Sequence, residues 1–432
     1  MENKTGYKRT EMGLIPDAWG VICFADICDQ TIRWSLTGGP SGSGLKTTDY
    51  AAEGVRILQL QNIGDGFFHD GYAIYTTEKK ADALLSCNIY PGEIILSKMG
   101  DPVARACFVP RRDKRYLLAS DGIRLVVDEK RFDKQFVHDY INSVYFRRVA
   151  QEASTGSTRQ RIGLEELRQL PFLVPPLAEQ TAIAGALADV GALIQTLKKL
   201  IAKKRAVKKG AMEQLLSGRT RLPGFTGEWR TRTFGELFTF LSTANCSRDE
   251  LTEFGEIGYI HYGDIHTRWS HFLNLSRQTV PRIAKQKVRG ISLVENGDLV
   301  VADVSEDIRG LGASVEIKNL GNQKIVAGLH TLLLRGNKTL IADGFKCYLR
   351  EMDEVKRALI RIATGISVYG ISKANLKRIG VTLPPLDEQI AIAELLADMD
   401  EEIEALERKR AKYIEIRNGM KQELFTGKTR LM

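Results

Sequence analysis

Two proline pairs, Pro175-Pro176 and Pro384-Pro385, are the closest this sequence comes to a catalytic loop. A loop that holds a flipped adenine for methyl transfer places Asp or Asn before such a pair, but Val174 and Leu383 stand there. Gly39 to Gly44 has the glycine spacing of a phosphate-binding loop, yet Leu45 displaces Lys46 from the position that would touch phosphate. Neither His-Glu-x-x-His nor Gly-x-Ser-x-Gly occurs. The six cysteines, Cys23, Cys28, Cys87, Cys107, Cys246 and Cys347, form no Cys-x-x-Cys pair, and no His lies near Cys23 and Cys28 to complete a zinc set. They are expected to be buried free thiols of a reducing compartment. The expected catalytic set and the expected metal set are both empty, so any chemistry would lie in other chains.

A duplication supplies the elements. Pro175-Pro176-Leu177-Ala178-Glu179-Gln180 recurs 209 residues later as Pro384-Pro385-Leu386-Asp387-Glu388-Gln389. Gly218-Arg219-Thr220-Arg221-Leu222 recurs as Gly427-Lys428-Thr429-Arg430-Leu431. Between 175 and 222, 21 of 48 positions are identical without a gap, where chance gives about three or four at typical composition. Upstream the copies agree at isolated anchors, with Trp19, Phe24 and Ile27 against Trp229, Phe234 and Leu237. Elsewhere they share an apolar pattern and differ in polar residues. Residues 57–63 face 259–265, and residues 91–98 face 295–302.

Each Pro pair opens a long helix, and Gly218 and Gly427 suit its end. Ile183, Leu187, Val190, Ile194, Leu197 and Ile201 step by four and three residues. Ile392, Leu396, Met399, Ile403 and Leu406 do the same, which is a coiled-coil seam. Charge sets the direction of pairing. Lys198, Lys199, Lys203, Lys204, Arg205, Lys208 and Lys209 would meet Arg408, Lys409, Arg410, Lys412 and Arg417 in a parallel pair. An antiparallel pair brings them to Asp398, Asp400, Glu401, Glu402, Glu404 and Glu407. The prediction is an antiparallel pair with a globular domain at each end, related by an approximate two-fold. The globular parts read as mixed α/β (α+β), with β runs at 56–60, 93–97, 123–127, 298–302 and 331–334. Helices are predicted at 134–153 and 352–363, and a flexible loop at Gly38 to Gly44. The expected divisions are 1–174, 175–222, 223–383 and 384–432.

Net charge is +9. The helical segment 175–222 carries nine basic residues against three acidic ones, whereas 384–432 carries eight against eleven. A basic balance favours a polyanionic partner. No stretch approaches the roughly 18 uncharged apolar residues of a membrane helix, so no membrane partner is expected.

The paired Pro-Pro-Leu-x-Glu-Gln-x-Ala-Ile-Ala phrases resemble the shared regions of type I restriction–modification specificity subunits. So do Leu215-Leu216-Ser217-Gly218-Arg219-Thr220-Arg221-Leu222-Pro223-Gly224-Phe225 running to Trp229, the opening Ile15-Pro16-x-x-Trp19, and the endings Thr155-Gly156 and Thr364-Gly365. The resemblance implies two target-recognition domains on two long helices, each domain reading half of a split, asymmetric site in double-stranded DNA. It implies a cytoplasmic, non-catalytic subunit that docks two modification subunits, joined by two restriction subunits. S-adenosylmethionine, Mg²⁺ and ATP would belong to those partners. Alternatives left open are a methyltransferase with unfamiliar motifs and a structural coiled-coil adaptor.

DNA contacts call for Lys or Arg at phosphates and Arg, Lys, Asn, Gln, His or Asp at base edges. The first domain offers Arg33 beside Trp34, Gln59, Gln61, Asn62, Lys98, Arg105, Arg159 and the run Arg111, Arg112, Lys114, Arg115. The second offers His261, Asp264, His266, Arg268, Asp303, Arg309 and Lys324. Residues 156–161 and 365–369 precede expected helix starts, where backbone N–H groups suit phosphate. Helix pairing or partner docking is assigned to Ile183, Leu187, Ile194, Leu197, Ile392, Leu396, Ile403 and Leu406.

Overall fold

The computed structural model describes residues 5–156 and 159–431. Ser157 and Thr158, part of the proposed phosphate-binding segment, lie outside the described residues. The chain divides into two compact units, residues 1–196 with 409–432, and residues 197–408. Each unit therefore takes part of both long helices, Leu177–Leu215 and Leu386–Leu424.

Both helices begin directly after their Pro pair and stop three residues before Gly218 or Gly427. Those glycines sit at φ 68°, the left-handed geometry that turns a chain out of a helix. A Cβ at Gly218 would press on the Trp229 ring and one at Gly427 would strike Pro16, so turn and packing both demand glycine.

In the first unit, strands Ala106–Phe108, Ile94–Ser97, Gly122–Leu125 and Leu36–Gly38 form an antiparallel sheet in that order. In a second sheet Val55–Leu58 lies parallel to Tyr116–Leu118. Pro171–Val174 pairs with Gly20–Cys23 and delivers the chain to the first long helix. The second unit repeats the plan. Phe238–Leu241, Thr331–Gly336, Leu299–Ala302 and Ser314–Lys318 are adjacent antiparallel strands, Ile257–Ile260 runs parallel to Ile325–Ala327, and Arg230–Thr233 pairs with Gly380–Leu383.

The long helices run antiparallel within each unit. In the second, Lys204 reaches Glu402 at 2.7 Å, Arg205 reaches Glu407 at 2.5 Å, and Lys208 holds Asp400 at 2.5 Å. In the first, Arg417 lies against Gly191, and Arg430 reaches Glu179 at 2.6 Å. Ile183 and Leu187 are buried in the first unit's core, where Phe425 packs edge-on against Phe136 and Tyr140. Ile392 and Leu396 are buried in the second unit's core with Leu215 and Leu216. Leu197 and Ile403 are also buried, while Ile194 and Leu406 are half-buried.

Several expectations need correction. Residues 134–153 form two helices, Lys134–Ile141 and Val144–Glu152, because the Ser143 hydroxyl accepts the Phe146 N–H and starts a new one. The glycine-rich stretch is built into the sheet at its start: Gly38 ends a strand, and the Gly39 N–H donates to the Gly122 carbonyl at 2.9 Å. A Cβ at Gly39 would collide with the Ala119 carbonyl, so close backbone approach demands this glycine. Cys23 is exposed, while the other five cysteines are buried free thiols. The first long helix contains an 18-residue window of mean hydropathy 1.3, long and apolar enough by composition to cross a bilayer. Of this helix, Ile183, Ala184 and Leu187 are buried in the first unit's core, and 28% of the window is buried.

Two outcomes follow. Phe425→Ala should cost about 3–5 kcal/mol as a buried aromatic truncation, and hydrogen exchange should rise in helices Lys134–Ile141 and Val144–Glu152 while the second unit stays protected. Lys208, with its side chain 8% exposed, faces Asp400. A double-mutant cycle with Lys208→Met and Asp400→Asn should give a coupling of about 1 kcal/mol, and additive effects would show that the pair does not hold the helices.

Candidate functional site

The repeated Glu-Gln of each Pro-Pro-Leu-x-Glu-Gln phrase is buried at the start of its long helix. Glu179 is 3% exposed. It accepts from the Trp19 indole N–H at 3.0 Å and from both forks of Arg430 at 2.6 and 2.8 Å. Glu388 has no exposed surface (0%). It accepts from Trp229 at 3.3 Å and from Arg221 at 2.5 Å on each oxygen. The glutamines do matching work. Gln180 donates to the Pro175 carbonyl and accepts the Asp133 N–H, and Gln389 donates to Pro384 and accepts the Ala342 N–H. Each Glu is thus clamped by the Arg that ends the opposite copy, which explains why these separate motifs occur together.

Three pairs of candidate contact residues, Gln59 with His261, Asn62 with Asp264 and Lys98 with Asp303, sit on loops that this framework holds in matching positions. Leu58 and Ile260 end equivalent parallel strands, and Gln59 and His261 start the turns that follow. Gln61 is exposed and donates to Gln59 at 3.2 Å. Asn62 is fully buried. Its carboxamide caps the Gln59 N–H and donates to the His69 and Tyr72 carbonyls, so it shapes the loop. Its counterpart Asp264 is equally buried and held by Arg248 at 2.9 Å and Arg268 at 3.7 Å. His261 is also buried, accepting the Gly263 N–H and facing Arg248 at 3.1 Å. Burial and Arg248 push its imidazole below the ordinary range. His266 is half-buried with Nε2 2.9 Å from the Val304 carbonyl.

A second pair of loops differs more sharply. The Lys98 N–H donates to Asp121 at 2.7 Å and its carbonyl accepts from Ile162 at 2.9 Å. The Asp303 N–H donates to His330 at 3.1 Å and its carbonyl accepts from Ile371 at 2.7 Å. The backbone bonds match, so Lys98 and Asp303 are equivalent, as are Asp121 and His330. This shifts the alignment of residues 91–98 by one from the sequence reading, which set Lys98 against Ala302. Gly92 and Gly297, both at φ 82°, mark the true register. Lys98 is half-buried, and desolvation with Arg161 lowers its ammonium below the ordinary value. Asp303 is half-buried beside His330 at 3.4 Å, and desolvation raises its carboxyl.

The remaining candidates are spread over each unit's surface. Arg33 is exposed and stacks on Trp34 at 4.2 Å, Arg105 is half-buried, and Arg159 and Arg309 are exposed. In the basic run at 111–115, Arg112 pairs with Asp70, which Arg56 also holds, and Arg115 pairs with Glu78 and Asp82. Lys324 and Arg268 are exposed, and Arg268 lies over Trp269 at 5.6 Å. Sequence reading missed Asp121 and His330, and named Arg161 only within the segment 156–161, because only the folded loops bring these residues beside Lys98 and Asp303. Among the described residues no group of three or more His, Cys, Asp or Glu is placed to hold a metal.

A framework given twice and carrying different polar loops defines a duplicated recognition scaffold. Residues 55–203 and 226–415 match the family described as the type I restriction modification DNA specificity domain, and the chain belongs to that family. A putative type I restriction enzyme MjaX specificity subunit from Methanocaldococcus jannaschii is 23% identical over 437 residues, covering 98% of this chain and 97% of that protein. The MjaVIII specificity subunit of the same organism is 24% identical over half of this chain (50%). The crystal structure of a type I restriction–modification S subunit from M. genitalium superposes with a TM-score of 0.53 at 16% identity, covering 98% of each chain. The HsdS subunit from Thermoanaerobacter tengcongensis gives 0.51 at 16% identity, covering 96% of this chain and 98% of that one. These structures share the fold. In this family the specificity subunit is the recognition component, and catalysis belongs to other subunits.

Glu179→Ala leaves the Trp19 indole and the Arg430 guanidinium without their shared acceptor. Breaking a buried pair in this way should cost about 3–5 kcal/mol. The first unit's unfolding should move to lower denaturant, and an unchanged midpoint would show that the clamp is dispensable.

Proposed function

We propose that this chain selects the DNA sequence on which a type I restriction–modification complex acts, with each unit reading one half of a bipartite, asymmetric target. The observation that carries this is the pairing of one framework with two sets of loops. The buried Glu–Arg–Trp clamps are the same in both units, whereas Gln59 and Lys98 are replaced by His261 and Asp303 at matching positions. Different polar groups on one scaffold suit two different half-sites, so the target is not a palindrome.

The long helices set the spacing between half-sites and dock two modification subunits, which two restriction subunits then join. Each helix has 39 residues and is about 58 Å long at 1.5 Å per residue. Half-sites one DNA turn apart lie roughly 34–36 Å centre to centre, within that length. S-adenosylmethionine, Mg²⁺ and ATP are bound by the partner subunits, and the complex works in the cytoplasm. Exposed Lys198, Lys199, Lys203 and Lys209 are available for docking, whereas Lys204, Arg205 and Lys208 are taken up by helix pairing.

The test is domain exchange. Residues 1–174 are replaced by those of a relative with another specificity, and the DNA modified by the assembled complex is sequenced for methylated positions. One half of the target should change and the other should persist. Sequence-independent binding, or a target that ignores the exchange, would overturn the reading.

A further inference from the structure

We infer that Lys98 and Asp303 are the same base-reading position in the two units, set to opposite hydrogen-bonding chemistry. The inference rests on the specificity reading above and adds to it the residues and the base groups concerned.

The equivalence is fixed by backbone bonding. Lys98 and Asp303 each leave a sheet strand, Ile94–Ser97 or Leu299–Ala302. Each donates its N–H to the residue before the adjacent strand, Asp121 or His330. Each accepts from the residue that closes a second loop, Ile162 or Ile371. That loop is pinned in both units by a two-way bond, Thr155 with Arg161 and Thr364 with Gly370. Five backbone positions therefore coincide while the polar side chains differ: Lys98 becomes Asp303, Asp121 becomes His330, and Arg161 gives way to Gly370, which carries no charge. Gly38 has no side chain where the Lys98 ammonium lies, as a Cβ there would be 2.5 Å from Nζ.

The sign reversal separates a base contact from a phosphate contact. Phosphates are anionic whatever the sequence, so a shared phosphate contact has to remain a donor in both copies. A carboxylate at Asp303 repels phosphate. Base edges alternate between donors and acceptors, so a position that turns from ammonium to carboxylate suits a change of base. Lys98 is a donor for the O6 and N7 acceptors of guanine. Asp303 is an acceptor for the exocyclic amino group of cytosine. Partial burial sharpens both, since an unmatched charge in a half-desolvated loop rejects the wrong edge.

The experiment uses the full subunit assembled with its modification partner and reads the methylated target by genome-wide sequencing. Lys98→Met keeps the packing and removes the donor, Lys98→Arg keeps the donor, and Asp303→Asn keeps the shape. Lys98→Met should make one guanine-containing base pair of one half-site degenerate, with discrimination falling about 5- to 150-fold. Lys98→Arg should retain that base pair. Asp303→Asn should relax one base pair in the other half-site only. If Lys98→Met weakens binding equally on all sequences and lowers the salt slope by about one, Lys98 contacts phosphate and the inference falls. If exchange of residues 1–174 moves a half-site while these variants leave every base pair intact, the inference falls and the specificity reading stands. If the exchange moves nothing, the specificity reading itself falls.

Discussion

The structure depends on two buried carboxylates, Glu179 and Glu388. Each is enclosed at the first turn of a long helix, where the helix N-terminus favours negative charge. Burying a carboxylate is unfavourable unless its oxygens are paired. Here a Trp indole from the start of the globular part and an Arg from the tail of the other long helix supply the donors. Three separate segments must therefore meet at one point in each unit. That point fixes where each helix leaves its domain and which helix end returns to it. The antiparallel direction follows from the clamp as well as from the charges along the helices. A parallel pair would bring each tail to the wrong end of its partner.

Once the framework is fixed in this way, the loops between strands can vary. The spacing between equivalent residues shows where they have done so. Phe24 and Phe234 differ by 210, Leu58 and Ile260 by 202, Gly92 and Gly297 by 205, and Thr155 and Thr364 by 209. Each change of offset marks residues gained or lost in a loop while the flanking strands keep their register. A strand that slipped by one residue would turn its apolar face outward. A loop that changes length carries no such penalty. Length changes therefore fall in the stretches between these anchors, while Gln59 with His261 and Lys98 with Asp303 keep the spacing of the strands beside them.

This also explains what could be read from the sequence. The helices were legible because their apolar spacing, Pro entries and glycine exits are local features, and their charges state the direction of pairing. The clamp residues were visible as a repeat, but their contact was not. Glu179 and Arg430 lie 251 residues apart, and nothing local marks them as partners. Among the candidate contacts, residue type alone could not separate Asn62, which holds its own loop, from Gln61, which is exposed. Lys98 was legible as a cation on a loop. Its equivalence to Asp303 was hidden by a one-residue change in offset that only backbone bonding resolves.

The division of the chain has a consequence for folding. The first unit is finished by residues 409–432, which are made after the whole of the second unit. Phe425 fills a core lined by Phe136 and Tyr140, Arg430 neutralises Glu179, and Tyr7 donates to the Gly427 carbonyl across 420 residues. Until that segment is made, the first unit holds a buried acid without its guanidinium and an aromatic core with a face uncovered. The second unit is closed by residues continuous within 197–408, so its Glu388 can meet Arg221 while the chain is still being completed. Loop-closure entropy rises only slowly with length, so the long closure is affordable at equilibrium, but its late arrival places the first unit's completion after the second's. Arg430 and Phe425 thus couple the completion of the first unit's core to a segment that follows the whole of the second unit in the chain.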